Sequence, residues 1–327
     1  MRFLVARTSS FRDREPWGEN VDVVDELRSV EVRGGQVPAW LRPVVHRWIA
    51  FSYALKLLWR SRLYDAISVG RQGVWLPILL RLFGSSKRIV MTDVEWPRWG
   101  TGIINCVAGN AASAICCNTH VEMERYSRTY KVPAEKFRFV PMAFQKPDMR
   151  ETSDGGYIFA GGNQARDWRT FFEAVGELPY PVRCFTTQGG LPRVPPNVTI
   201  ASVAREEFYN QMAAASCVVV PVVKEPLRVT GPTTWINAMG MGKVVIVTEP
   251  EGAADYMESG VSGFYVNHGD AEALRECVVM VMQDGELRKR VGEAARKRAE
   301  TEFSPEVFRR RVLWLLEAGL DGKGGSA

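Results

Sequence analysis

Two short runs, CVVVPVV at residues 217–223 and KVVIVT at 243–248, are apolar at nearly every successive position. A strand with one wet face alternates apolar and polar residues. A strand that is apolar throughout has both faces covered, the condition of a parallel sheet between layers of helix. The stretch between the runs, with TTWINAM at 233–239, suits a short apolar helix, so the three pieces read as strand, crossover helix and parallel strand.

The same alternation runs along the chain and predicts an α/β protein with parallel sheets. In the first half, strands are expected at 2–6, 66–69, 88–92, 114–117 and 137–140, with helices at about 44–62, 74–82, 103–110 and 121–130. The polar, turn-rich AFQKPDMRETSDGG at 143–156 reads as a linker. Beyond it YIFAGG, VRCFTT, NVTIAS, CVVVPVV, KVVIVT and GFYV are six further strands, and a helix is expected at 271–283 with Asp270 as its cap. At 327 residues the chain accommodates two domains, placed at 1–148 and 149–310, with a helix end and flexible tail at 311–327.

Charge divides the halves. Residues 1–150 hold 23 Lys and Arg against 14 Asp and Glu, a net +9, and residues 151–327 carry −4. Such asymmetry points the first half at something anionic. No helix-turn-helix, finger or RNA-binding signature accompanies it, so nucleic acid is not the expected partner. Six cysteines without a CxxC pair read as reduced, buried thiols of a cytoplasmic protein, and the N-terminal apolar run is too short for a signal peptide.

Ligands of open α/β sheets bind at the carboxyl ends of the strands. Three turns there stand out in the second half. In FAGGNQARDWRTF, Gly161 and Gly162 let backbone approach a ligand, and Arg166 is expected at the start of a helix, where a guanidinium beside free amides clamps a diphosphate. The alternative is a plain turn with Arg166 paired to Asp167. In KEPLRVTGPTT, Gly231 and Pro232 lead into a helix that Thr233 or Thr234 is expected to cap, aiming its positive end at the ligand; an ordinary capped helix is the alternative. In EPEGAADYMESG, Glu251, Gly252 and Asp255 offer a turn and carboxylates for sugar hydroxyls, or simply an acidic helix start.

Taken in order, Pro221, Glu225, Gly231, Thr234, Ala238-Met239, Gly242-Lys243, Val245-Ile246, Thr248, Gly252, Asp255, Gly260, Gly263, Val266 and the run GDAEAL at 269–274 resemble the donor domain of retaining GT-B glycosyltransferases of the group 1 type. The resemblance covers residue 157 to the last helix and is weaker in the first half. It implies two Rossmann-like domains facing across a cleft: an acceptor domain first, and a nucleotide-sugar donor domain second. It implies that Arg166 holds the donor diphosphate over Gly161 and Gly162, with the amides near Thr233 and Thr234. Glu225 stands for the first of the family's paired carboxylates, at a longer spacing, and Asn237 occupies the second position, which grips ribose hydroxyls. Asn offers one acceptor oxygen where a carboxylate offers two. In the first half the resemblance places Asp93 and Glu95 near the sugar and Arg71 and Arg98 near phosphate; a turn cap is the alternative for Asp93. His120 is expected to start a helix.

The implied activity is transfer of a sugar, with retention, from a nucleotide-diphosphate sugar to an acceptor hydroxyl of an unknown glycan or lipid-linked molecule, in cell-surface glycan or glycolipid synthesis. Neither a cofactor nor a metal is expected, the donor being a co-substrate. The alternative is a non-catalytic sugar-nucleotide-binding or partner subunit of the same fold. Residues 40–64 interleave Arg and Lys with Trp, Phe and Tyr, the composition of a helix lying peripherally on an anionic membrane surface, such as the inner face of the plasma membrane, or of a domain helix with snorkelling arginines.

Overall fold

The computed structural model describes residues 1–7, 15–25, 42–70, 74–92 and 102–318. The chain divides into two units, Met1–Val140 with Phe308–Ala327, and Pro141–Val307.

The first unit runs β1 (Phe3–Arg7), β2 (Val21–Asp25), α1 (Arg42–Ser61), β3 (Ala66–Val69), α2 (Trp75–Leu82), β4 (Arg88–Met91), α3 (Gly102–Ala111), β5 (Ala114–Cys117), α4 (His120–Tyr130) and β6 (Phe137–Phe139). Its strands pair in parallel in the order β2-β1-β3-β4-β5-β6. β3 and β5 are buried at every position, as uninterrupted apolar runs require. β2 is absent from the expected set. It is an edge strand of alternating sequence, VDVVD, whose Asp22 is exposed and accepts hydrogen bonds from Arg2 and Tyr64. One-sided edge strands lack the continuous apolar signal of central ones.

The second unit runs β7 (Ile158–Gly161), α5 (Trp168–Val175), β8 (Val182–Phe185), β9 (Val198–Ala201), α6 (Arg205–Ala214), β10 (Cys217–Val220), α7 (Pro232–Gly240), β11 (Val244–Val247), α8 (Pro250–Ala253), β12 (Phe264–Tyr265), α9 (Ala271–Gln283) and α10 (Gly285–Glu302). Its parallel sheet has the order β12-β11-β10-β7-β8-β9. All six strands lie where the apolar runs put them. Asp270 caps α9, accepting the Ala273 amide at 2.9 Å. The core joins Ile158, Val219, Ile246, Phe171 and Val278 from strands and helices on both sides of the sheet.

The expected linker differs from the observed chain. Ala143, Phe144, Gln145 and Asp148 are buried in the second unit, where the Phe144 amide donates to Phe303 and Arg205 pairs with Asp148. Its polar side chains find partners far along the chain, which composition alone does not reveal. The last helix, α11 (Pro305–Glu317), returns to the first unit and gives its core Val312, Leu315 and Leu316. All six cysteines carry free thiols, four of them buried.

Candidate functional site

β7, β10 and β11 are parallel neighbours, so the turns that leave their carboxyl ends share one edge of the second sheet. From β7 the chain moves outward to β8 and β9, then returns on the other side of β7 as β10. The strand order therefore reverses between β7 and β10, where loops diverge and ligands of open α/β sheets bind.

The turn after β7 is built around one side chain. A Cβ on Gly161 would stand 2.5 Å from Phe208. Gly162 has φ +126°, and a Cβ there would meet the Arg166 guanidinium at 2.3 Å. The two glycines thus make room for Arg166, which folds back beneath Gly162. Its Nε donates to the Gly161 carbonyl at 2.9 Å, Nη1 to the Gln164 carbonyl at 2.8 Å and Nη2 to Thr234 Oγ1 at 3.2 Å. Among the described residues no carboxylate forms an ion pair with it. Burial lowers its pKa to about 10, still far above neutrality, so the guanidinium stays charged. Arg166 precedes α5 instead of starting it. Asp167 is the cap, accepting the Thr170 amide at 3.1 Å, which accounts for that carboxylate without Arg166.

This arrangement makes Gly162 a testable support. Gly162→Ala puts a methyl where the guanidinium lies and an L-residue at a left-handed φ, which costs on the order of 1–3 kcal/mol. Expected is a lower melting temperature, with Arg166 still present. An unchanged melt would mean that Arg166 is not held in this seat.

The turn after β10 is laced to the one after β7. The Asp167 amide donates to the Pro221 carbonyl at 3.1 Å and the Val223 amide to the Ala165 carbonyl at 3.0 Å. The loop then enters α7 by a different cap from the one expected. Gly231, at φ +105°, is the N-cap and Pro232 the first helical residue. Proline has no amide to orphan and its φ is already helical, so the Gly-Pro pair starts the helix without a side-chain cap. Thr233 and Thr234 therefore sit inside the first turn. The Thr234 amide donates back to the Gly231 carbonyl at 2.8 Å and its hydroxyl accepts from Arg166. The positive end of the α7 dipole and the Arg166 charge thus meet at Thr234.

The turn after β11 approaches the same loop. Gly252 is buried, and a Cβ there would stand 2.4 Å from Val229. Glu251 is exposed and pairs with Lys224 at 3.4 Å; Asp255 is half-buried in the turn after α8. Glu225 is half-buried in the loop before α7. Asn237 is fully buried: its Oδ1 accepts the Gln145 amide at 2.8 Å and its Nδ2 donates to the Tyr209 hydroxyl at 2.9 Å. Asp93, Glu95, Arg71 and Arg98 lie outside the described residues. His120 opens α4 behind a Thr119 cap.

Sequence reasoning missed the brace under these turns. Thr248 Oγ1 accepts the Val222 amide at 2.8 Å and donates to its carbonyl at 3.0 Å. His268 donates from Nδ1 to the same carbonyl at 3.0 Å and meets Glu249 through Nε2 at 2.8 Å. Arg228, on the loop before α7, donates to Gln164 at 3.1 Å and is a second cation beside the first turn. The only local signal for the brace is that Thr248 and Glu249 close a strand; His268 reaches it from beyond β12.

Residues 197–298 match the family model described as Glycosyl transferases group 1. Two bacterial relatives are similar. The capsular polysaccharide biosynthesis glycosyltransferase CapM of Staphylococcus aureus is 32% identical over 115 residues, 35% of this chain and 28% of CapM. The lipopolysaccharide core biosynthesis glycosyltransferase LpsE of Rhizobium meliloti is 30% identical over 186 residues, 54% of each chain. The matched stretches thus span about half of LpsE and under a third of CapM. Among solved structures, HepE of Anabaena in complex with UDP superposes with a TM-score of 0.70 at 14% identity, covering 97% of this chain and 100% of that one. The fold is GT-B, and the stretch that matches the family model lies within the second unit.

Proposed function

We propose that this chain, on its GT-B fold, is a glycosyltransferase that moves a hexosyl group from a nucleotide-diphosphate sugar to an acceptor hydroxyl, with retention at the anomeric carbon, in the synthesis of a cell-surface glycan or glycolipid. The observation that carries the reading is the Arg166 guanidinium, half-buried, without an ion-paired carboxylate among the described residues, and joined through Thr234 to the start of α7. A half-buried, hydrogen-bonded cation at a helix N-terminus is a place for an anion. HepE is seen with UDP, and CapM and LpsE are named for polysaccharide and lipopolysaccharide synthesis, which supports the donor class and the pathway class.

Chemically, this chain's part is at the leaving group. As the bond between sugar and diphosphate breaks, negative charge grows on the departing oxygen. Arg166 and the positive end of the α7 dipole are fixed beforehand, so they stabilise that charge without reorganising. The turn carrying Glu251, Gly252 and Asp255 is the proposed seat of sugar hydroxyls, Glu225 is the proposed carboxylate beside it, and Asp93 is proposed for the acceptor side.

The test is donor turnover over a panel of UDP-, GDP-, ADP- and dTDP-sugars, with the anomeric configuration of the product read by NMR. Release of nucleotide diphosphate from one donor, and a product of the donor's configuration, are expected. Binding with no turnover on any donor and acceptor would assign the chain to a non-catalytic subunit, a reading that the buried, fully engaged Asn237 favours. Turnover should also survive EDTA, because protein groups neutralise the diphosphate. Activity lost to the chelator and restored by Mg²⁺ or Mn²⁺ would place that neutralisation on a metal.

A further inference from the structure

Among the described residues, no helix is long and apolar enough to cross a membrane. One helix of the first unit is nonetheless apolar on two opposite faces. α1 buries Tyr53, Ala54 and Leu57 against its unit. Turned away from them is a stripe of Trp48, Phe51, Leu55 and Trp59, spaced three or four residues apart, with both indoles over 70% exposed. Leu63, just past the helix, continues the stripe and is 63% exposed, and Phe83, at the end of α2, is 73% exposed. Leu55, Trp59 and Phe83 line a groove of about 480 Å³ between the two helices. An amphipathic helix needs one apolar face to pack; of the second, Phe51 meets Trp75 of α2 edge-on at 5.6 Å, while both indoles stay exposed.

The charges within the two stretches that build this face have one sign; Asp22 and Asp65 lie just beyond them, Asp22 close enough to feel Arg60. Residues 42–64 contain five basic residues and 74–92 contain three, and neither stretch contains an Asp or Glu. Lys56 and Arg60 are exposed along one flank of the stripe, and Arg62 stacks on the Trp59 ring at 5.1 Å. Trp48 and Trp59 stand eleven residues apart, roughly 16 Å along the helix axis, so the stripe makes contact along its length and not at a tip. Indoles favour the level of lipid headgroups, and cations beside them favour anionic ones.

We infer that the α1–α2 face docks on an anionic lipid surface, with α1 lying flat, its Trp48–Trp59 stripe at the acyl boundary and Lys56, Arg60 and Arg62 among the headgroup phosphates. Charge complementarity selects this occupant over a second copy of the chain, which would bring the same cations face to face.

The experiment is vesicle flotation of the whole protein with phosphatidylcholine alone and with added phosphatidylglycerol. Binding is expected to the anionic vesicles, to weaken as salt is raised, and to come with a blue shift of tryptophan emission and quenching by brominated acyl chains. Trp48→Ala with Trp59→Ala should lower partitioning at least about tenfold, as should Lys56→Glu with Arg60→Glu, since one charge near an anionic surface is worth about fivefold. All four side chains are exposed, so melting curves should not change. Equal binding to neutral and anionic vesicles, no binding, or binding without quenching each overturns the inference. So does a dimer in solution that the tryptophan pair dissolves, which would give the face to a second copy.

Discussion

Arg166→Ala should lower donor turnover about a hundredfold while raising the apparent donor KM far less. The guanidinium reaches Thr234 at the start of α7 and makes no ion pair with a carboxylate among the described residues. On the proposed reading, charge on the leaving phosphate is greater in the transition state than in the bound donor, so a contact from Arg166 would strengthen as the bond breaks. Losing one charged donor of this kind raises the barrier by ~3 kcal/mol, on the order of a hundredfold in rate. Arg166→Lys should recover only part, because a point charge cannot reach the Gly161 carbonyl, the Gln164 carbonyl and Thr234 together as the planar fork does. Steady-state kinetics at saturating acceptor, beside a thermal melt, decide the matter. A folded Arg166→Ala protein with normal turnover would place the diphosphate elsewhere, with Arg228 the next cation to test.

The second large effect is one of stability. Asn237→Ala removes at once the acceptor of the Gln145 amide and the donor to the Tyr209 hydroxyl, in a fully buried place. Each buried polar group so deprived costs about 1–3 kcal/mol, and one such kcal/mol lowers Tm by roughly 2–4 °C in a protein unit of this size. A fall of about 5–15 °C is expected, with the donor KM of the folded protein little changed. The opposite pattern, an unchanged melt with a donor KM raised tenfold or more, would show that Asn237 reaches the donor's ribose. Asn237→Glu should also melt early, because it buries a charge beside a backbone amide and a phenol, and Arg205, over the Tyr209 ring, is already paired with Asp148.

These two residues mark how far sequence alone carries. The central strands were legible because a buried parallel strand writes an uninterrupted apolar run, as at 217–220 and 244–247. The site's three turns were legible because glycines cluster after those runs. β2 was not, since an edge strand carries half the signal. Nor was the burial of Asn237, whose partners lie 92 and 28 residues away and are fixed only by tertiary packing. The Gly231 cap was obscured by the threonines behind it. They are the better capping residues, but Pro232 sets the helix start before they are reached.

The return of α11 to the first unit sets an order of assembly. A chain growing from its N-terminus displays every strand of the first sheet before β7 exists, yet Val312, Leu315 and Leu316, which belong to the first unit's core, are made after the whole second unit. The second unit is one unbroken stretch and holds all its residues by Val307. The first unit's core is thus completed last, although its strands are made first. Until then the half made first has an open hydrophobic seam where Val312, Leu315 and Leu316 will lie.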